Sequence, residues 1–236
     1  MFWAYGNFSQ LELLCVNSFV KQNYDVSVWS YDRIENLPTG ASLREANEIL
    51  PEEGVFTYKN GSVAAFANLF RNTLLMQHGG LYVDTDVIAL RDAALIPEHP
   101  FLVTERTTTA NALKINNNVI HCPHPAPGCI IDLAQAMASR FPIEQMEWGD
   151  TGPKLLTVLH QAYPRLSYPL MPPEFANPIN WWNCPETLLN SECAVPKEAT
   201  FLHCFNQIWR QKGVEKNNPF PSGSMMALLT QQFLNT

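Results

Sequence analysis

Asn68-Leu-Phe-Arg71, then Leu74-Leu75, then Gly79-Gly80-Leu81-Tyr82-Val83-Asp84-Thr85-Asp86 is the stretch on which the reading of the fold turns. Residues 62–78 carry Val63, Phe66, Phe70 and Leu74 at spacings that put them on one face of a helix. Gly79 follows where a left-handed helix stop is expected. Residues 81–83 and 87–90 are short apolar runs that read as strands. Asp84 and Asp86 therefore stand at a strand end, the place where open α/β sheets bind their ligands.

Upstream, residues 1–5 form an aromatic run that reads as a strand, Gly6-Asn7 as a turn, and residues 11–20 as a helix. Ser9 and Glu12 have the spacing of a capping box, which assigns Glu12 to the helix start rather than to catalysis. Residues 25–31 alternate like a second strand, so the opening is a βαβ unit whose crossover implies a parallel sheet. Downstream the alternation weakens. Residues 101–104 and 118–121 read as strands, 130–141 and 154–162 as helices, and 169–185 as a Pro- and Trp-rich segment with little regular structure. Residues 200–205 give a last strand and 225–234 a terminal helix. The expected fold class is α/β, a mostly parallel central sheet flanked by helices, in a single domain over 1–236 whose first part, 1–90, ends in the acidic motif and whose second part is 91–236.

With 236 residues, 46% of them hydrophobic, the chain can bury a sizeable core. A net charge of -7 disfavours nucleic acid and anionic lipid as partners of the average surface. No apolar run approaches the roughly 20 residues that cross a bilayer, and the first twenty residues lack a secretory signal. The expectation is a soluble, cytoplasmic protein. Six cysteines without a CxxC pair read as reduced thiols, with a Cys184–Cys193 disulfide left open.

Two carboxylates one residue apart at a strand end offer hard oxygen ligands to Mg²⁺ or Mn²⁺, with positions left open for diphosphate oxygens. Two solvated loop aspartates are the plain alternative. The longer string decides between them, because it resembles the DXD-motif sugar transferases of glycosyltransferase family 32 and the related capsular polysaccharide enzymes, and more distantly the glucosylating clostridial toxins. Those families have the form D-x-x-R, a leucine-rich helix, then GG-x-Y-x-D-x-D. Further matches occur in the same order: Phe2-Trp3-Ala4-Tyr5-Gly6 is similar to their opening W-x-G strand, and Ile115 to Ile120 followed by His124-Pro125 to their N-x-x-I and H-P elements. Thr151-Gly152-Pro153 resembles their TGP turn, Phe175 to Pro178 their F-x-P element, and His203 with Trp209 their late H and W.

The resemblance implies a GT-A-like nucleotide-sugar-binding fold and a retaining transfer of a hexose or N-acetylhexosamine from a UDP-sugar to a glycan or lipid-linked glycan. The setting it implies is bacterial surface polysaccharide synthesis, with at most peripheral association at the inner face of the plasma membrane. Asp84, Asp86 and His203 would bind Mn²⁺ or Mg²⁺, His203 as a third ligand or just behind the ligands; a satisfied core histidine is the alternative. Trp3, with Tyr5 beside it, would stack on the donor's uracil, unless Trp3 is simply core. Arg71, Asn68 and Asn117 would face the donor, Gly80 would let backbone approach it, and Asp84 would also contact its sugar or ribose. Asp150, ahead of the TGP turn, would face the acceptor or cap the next helix. Catalytic roles thus fall to Asp84, Arg71 and Asp150.

One position departs from the pattern, for Asn68 stands where these families have aspartate. An amide keeps an acceptor oxygen but loses the charge. The His121-Cys122-Pro123-His124 run with Cys129 invites a zinc reading, but its spacing fits no common finger. Two rival classes are carried: a nucleotide-sugar-binding pseudoenzyme, motivated by Asn68, and a phosphatase whose strand-end DxD supplies an aspartyl nucleophile.

Overall fold

The computed structural model describes residues 1–58, 61–109 and 112–234. In chain order its elements are α1 (Gln10–Lys21), β1 (Val26–Ser30), β2 (Ala41–Glu45), α2 (Ala64–His78), β3 (Gly80–Val83), β4 (Val87–Ala89), β5 (Phe101–Arg106), β6 (Leu113–Cys122), α3 (Ile130–Ala138), α4 (Pro153–Ala162), β7 (Leu170–Met171), α5 (Pro173–Ala176), α6 (Glu186–Leu189), β8 (Phe201–His203), α7 (Asn206–Gln211) and α8 (Met225–Phe233). This is an α/β protein whose helices flank its sheets, as expected. The chain divides into two compact units, one of Met1–Phe2, Glu45–Val83 and Pro97–Pro172, the other of Trp3–Arg44, Asp84–Ile96 and Pro173–Thr236.

The first unit is built on a four-stranded sheet in the order β3-β6-β5-β7. Its direction corrects the expectation of a mostly parallel sheet: β3 and β5 both pair antiparallel with β6, and only β5 with β7 is parallel. The physical reason is the connection. Only a few residues of sequence separate β5 from β6, and so short a connection enforces an antiparallel pair. Helix α2 packs on α3, α3 on α4 and α4 on β6. On α2, Phe66, Phe70 and Leu74 are buried as their spacing predicts, and Phe2 stacks on Phe70 with ring centroids 4.0 Å apart. Asn68, Arg71, Asn72 and Thr73 are buried as well, so the helix is covered on a polar side that the apolar spacing does not reveal.

The second unit contains the opening crossover. Trp3 donates its N–H to the Trp29 carbonyl (2.9 Å) and Tyr31 donates to the Ala4 carbonyl (3.2 Å), so residues 3 and 4 run in the same direction as β1. Residues 1–5 are less regular than the full strand expected: Phe2 forms a single bridge. Both bonds of the capping box on α1 are present. A second pairing, β4 with β8, is antiparallel and sets Val87 opposite His203. Leu11, Leu14, Ile88, Leu202, Trp209 and Met226 lie in the core of this unit. The sequence reading missed β2, α6 and α7, and residues 169–185 hold β7 and α5 where little regular structure was expected. All six cysteines are free, so the Cys184–Cys193 disulfide is not formed.

Gly79 ends α2 with φ +68°, its N–H bonded to the Leu75 carbonyl at 2.9 Å. A Cβ there would lie 2.9 Å from the Pro123 carbonyl oxygen. Gly79→Ala is therefore expected to lower stability by about 1–3 kcal/mol, read as a shift of the urea unfolding midpoint.

Candidate functional site

In the second unit the acidic pair occupies a tight turn between β3 and β4, closed by Val87 N–H on the Asp84 carbonyl at 3.2 Å. Asp86 is held at several points. Its carbonyl accepts the Cys204 N–H at 2.8 Å, and its Oδ2 accepts the Asn206 N–H at 2.8 Å. The same Oδ2 lies 3.4 Å from His203 Nε2, because the β4–β8 register delivers His203 beside the end of the turn. His203 Nδ1 contacts Asn177 Oδ1 at 3.1 Å. An amide oxygen can only accept, so Nδ1 carries a proton, and Nε2 is the ring nitrogen that faces the Asp86 carboxylate. Burial pushes the Asp86 carboxyl up, but the His203 charge and hydrogen bond, with the Asn206 amide, outweigh it and hold the group below the ordinary carboxylate range.

Trp3 in this unit is only partly buried. Its Nε1–H is held by the Gly6 carbonyl at 3.0 Å, Phe8 meets its ring edge-on at 5.4 Å, and Lys216 Nζ stands 5.9 Å from the ring centroid. Lys216 is tied down at 2.5 Å by Glu12 Oε1, an atom that also accepts from Asn206 Nδ2 at 3.1 Å. Glu12 thus does more than cap α1. It is fully buried and joins Lys216, near Trp3, to Asn206, which holds Asp86. Tyr5 is exposed, its ring 5.9 Å from that of Tyr31.

The first unit gathers a separate set of polar residues from three of the matched segments. Arg71 donates to the Asn117 carbonyl at 2.6 Å and lies 4.9 Å from the Tyr82 ring centroid. Asn68 accepts from Asn117 Nδ2 at 2.9 Å and donates to Thr151 Oγ1 at 3.2 Å. Gly152 is required here: a Cβ would sit 2.6 Å from Asn68 Nδ2 and 2.7 Å from Asn117 Nδ2. Gly80 has φ +90° with open space where a Cβ would be. Asp150 is engaged locally, with Lys154 at 3.0 Å and the Glu147 N–H at 2.8 Å.

Asn68, Arg71 and Asn117 come together, then, and so do Asp86 and His203. Asn177, Asn206, Glu12 and Lys216 were missed. Asn177 lies inside the matched Phe175 to Pro178 element, which was the available signal; Lys216 sits in a stretch without a motif. Among the described residues, no three His, Cys, Asp or Glu side chains are gathered into a metal-holding group. That removes support for zinc at His121, Cys122 and His124, and the His121 ring is turned to the His99 carbonyl at 3.0 Å. Asp84, Asp86 and His203 do not form such a group either; Asp86 with His203 sets an oxygen and a nitrogen donor side by side, a pair that could hold Mn²⁺ or Mg²⁺.

Residues 9–102 match the family described as the glycosyltransferase sugar-binding region containing DXD motif. The matched region includes Asn68, Arg71, Asp84 and Asp86, and the coarse activity it supports is glycosyl transfer. No curated protein matches the chain. Among solved structures, the PaToxG glycosyltransferase is similar at 19% identity and a TM-score of 0.48, over 70% of this chain and 68% of its own. The apo-form glycosyltransferase GlyE of Streptococcus pneumoniae TIGR4 is similar at 14% identity and a TM-score of 0.48, over 98% of this chain and 60% of its own. No helix of the described residues is long and apolar enough to cross a membrane.

Glu12→Ala is expected to destabilise by about 3 kcal/mol, because it breaks a buried ion pair and a hydrogen bond as well as the cap. Ser9→Ala removes capping alone and should cost about 1 kcal/mol. Equal costs in a denaturant series would reduce Glu12 to a cap.

Proposed function

We propose that the chain is a metal-dependent, retaining hexosyltransferase of the family 32 and capsular polysaccharide type, with residues 1–236 acting as one glycosyltransferase domain. It would move a hexose or N-acetylhexosamine from a UDP-sugar to a glycan or lipid-linked glycan in bacterial surface polysaccharide synthesis. Its place would be the cytoplasm, at most peripheral at the inner face of the plasma membrane. The observation that carries the reading is the contact of Asp86 with His203, whose Nδ1 is held by Asn177 and whose Nε2 faces the carboxylate.

Asp84, Asp86 and His203 would hold Mn²⁺ or Mg²⁺, which when bound neutralises charge growing on the diphosphate as the sugar C1–oxygen bond breaks. Asn177 accepts the Nδ1 proton and leaves Nε2 as the nitrogen that would ligate, and Asn206 helps to keep Asp86 ionised and aimed. Trp3 offers a ring face to uracil, with Lys216 as a nearby cation. No nucleophile is assigned; the acceptor attacks from the face that the diphosphate leaves, and the leaving phosphate takes up the acceptor's proton. The donor-side roles of Arg71, Asn68, Asn117, Tyr5 and Gly80 and the acceptor-side role of Asp150 belong to the proposal and rest on the resemblance. A second reading, a nucleotide-sugar-binding protein without transfer, is favoured by one observation: both ends of the Asn68 amide are occupied by Asn117 and Thr151.

The test is thermal unfolding and UDP release with Mn²⁺ and a panel of UDP-sugars. One sugar nucleotide should raise the unfolding temperature by mass action and release UDP slowly. Asp86→Asn should lower that release on the order of 100-fold. Asn177→Ala should weaken Mn²⁺ binding by about 10- to 100-fold while the fold persists. Binding without turnover selects the second reading, and neither binding nor turnover removes both. In the same panel, Asn68→Asp should change which UDP-sugar is hydrolysed fastest; unchanged rates and selectivity would deny this residue a part in donor choice.

A further inference from the structure

The turn that leads into the Thr151-Gly152-Pro153 element of the first unit also presents Trp148, a residue without a part in the function proposed above. The turn is cross-braced. Asp150 N–H donates to the Glu147 carbonyl at 3.2 Å while Glu147 N–H donates to Asp150 Oδ2 at 2.8 Å, and the Gly152 and Lys154 N–H groups both reach the Gly149 carbonyl at 3.0 Å. Two further bonds tie it to the rest of the unit: Gly149 N–H donates to Tyr58 Oη at 3.3 Å, and Thr151 Oγ1 accepts from Asn68 Nδ2 at 3.2 Å. Trp148 thus stands on a fixed support, yet 51% of it is exposed. Tryptophan is highly buried on average. Here the Tyr58 ring meets it, with centroids 5.4 Å and planes 37° apart, and about half of its apolar surface is left for something else to cover.

We propose that Trp148 and Tyr58 form a platform for one sugar ring of a neutral glycan. The charges around the platform select this class. Lys154 Nζ lies 3.0 Å from Asp150 Oδ1 and 3.8 Å from Glu147 Oε2, so the residues that flank the indole set one ammonium between two carboxylates. A cationic ligand would meet Lys154, and an anionic one would meet the two carboxylates. A neutral polyol meets neither penalty. Its hydroxyls donate and accept at once, which matches a set made of carboxylate acceptors, ammonium donors and the indole N–H. Its ring C–H groups form an apolar face, and an exposed indole offers the flat apolar surface with a polar edge that such a face requires.

The bracing of the turn bears on affinity. Its backbone bonds already fix the support, so little ordering remains to be done when a ligand arrives. The same segment brings Gly152 against Asn68 and Asn117, where a Cβ would lie 2.6 Å from Asn68 Nδ2, and so joins the platform rigidly to the polar cluster assigned above to the donor side. Resting on the transferase reading, the ring on the platform is that of the acceptor glycan, with Asp150 at its edge. The binding of a free glycoside does not need that reading.

The test is heteronuclear NMR of the tryptophan indole N–H groups in the full chain, titrated with methyl β-glucoside, methyl β-galactoside and methyl N-acetyl-β-glucosaminide in the absence of nucleotide and metal. The chain has six tryptophans, and the Trp148 signal is the one that disappears in Trp148→Phe. At least one glycoside should shift that signal saturably, with a dissociation constant in the millimolar range. Trp148→Ala should weaken its binding by about tenfold or more, read by saturation transfer to the glycoside ring protons, and Trp148→Phe should weaken it less. Tetramethylammonium chloride and sodium phosphate should leave the Trp148 signal in place. No shift with any of the three glycosides, undiminished binding by Trp148→Ala, or a shift with tetramethylammonium or phosphate as large as the glycoside's would each overturn the proposal. UDP release without added glycoside tests the transferase reading on its own, so failure of the platform and failure of that reading are told apart.

Discussion

The short ladder between β4 and β8 is the constraint on which the second unit's site depends. Three residue pairs bring together segments far apart in the chain, and the bond from the Asn206 N–H to Asp86 Oδ2 spans 120 positions. The pairing places His203 opposite Val87, and the backbone bond from Cys204 to the Asp86 carbonyl extends it by one step. Alternate residues of a strand face opposite sides, so a slip of one residue would turn His203 away from Asp86 and carry Leu202 out of the core. Burial of Ile88 and Leu202 fixes that register, and with it the imidazole.

The chain then leaves β8 in an unfavourable conformation. Phe205 is left-handed, with φ 53° and ψ 57°, a state that costs a non-glycine residue on the order of 1 kcal/mol. Two contacts compensate. The Phe205 ring lies 3.8 Å from that of His203, and Trp209 Nε1 donates to the Cys204 carbonyl at 2.7 Å. The sharp turn is what presents the Asn206 N–H to Asp86 Oδ2 and the Asn206 side chain to Glu12. Local strain and the aim of the carboxylate are two sides of one arrangement.

What the sequence made legible was whatever repeats locally. The period of Phe66, Phe70 and Leu74 gave α2, Gly79 its end, and Ser9 with Glu12 the start of α1, because each is settled within a few residues. Strand direction was not legible, since alternation tells which face a residue occupies and not which strand lies beside it. β3 looks the same whether its neighbour is parallel or is the antiparallel β6. The acidic pair was legible as a motif, and His203 as a late match to it, but Asn177 and Asn206 act through single hydrogen bonds across long separations that no spacing rule encodes. Glu12 misled in an instructive way: a sufficient local explanation, the cap, concealed the second oxygen that holds Lys216 and Asn206.

Asn68 shows how an apparent loss can be accommodated. An amide at this position accepts from Asn117 and donates to Thr151, so it is satisfied on both ends within the first unit. An aspartate would accept from both neighbours and would require the Thr151 hydroxyl to donate to it instead of turning toward Met146 Sδ, 3.9 Å away. A carboxylate buried to the same degree, 6% exposed, would also have to be compensated by charge. Arg71 is close along α2, yet its guanidinium already donates to the Asn117 carbonyl and covers the Tyr82 ring. The neutral side chain therefore leaves the arginine in that arrangement and lets Gly152 approach closely, where a charged one would reverse a hydrogen bond and compete for the guanidinium.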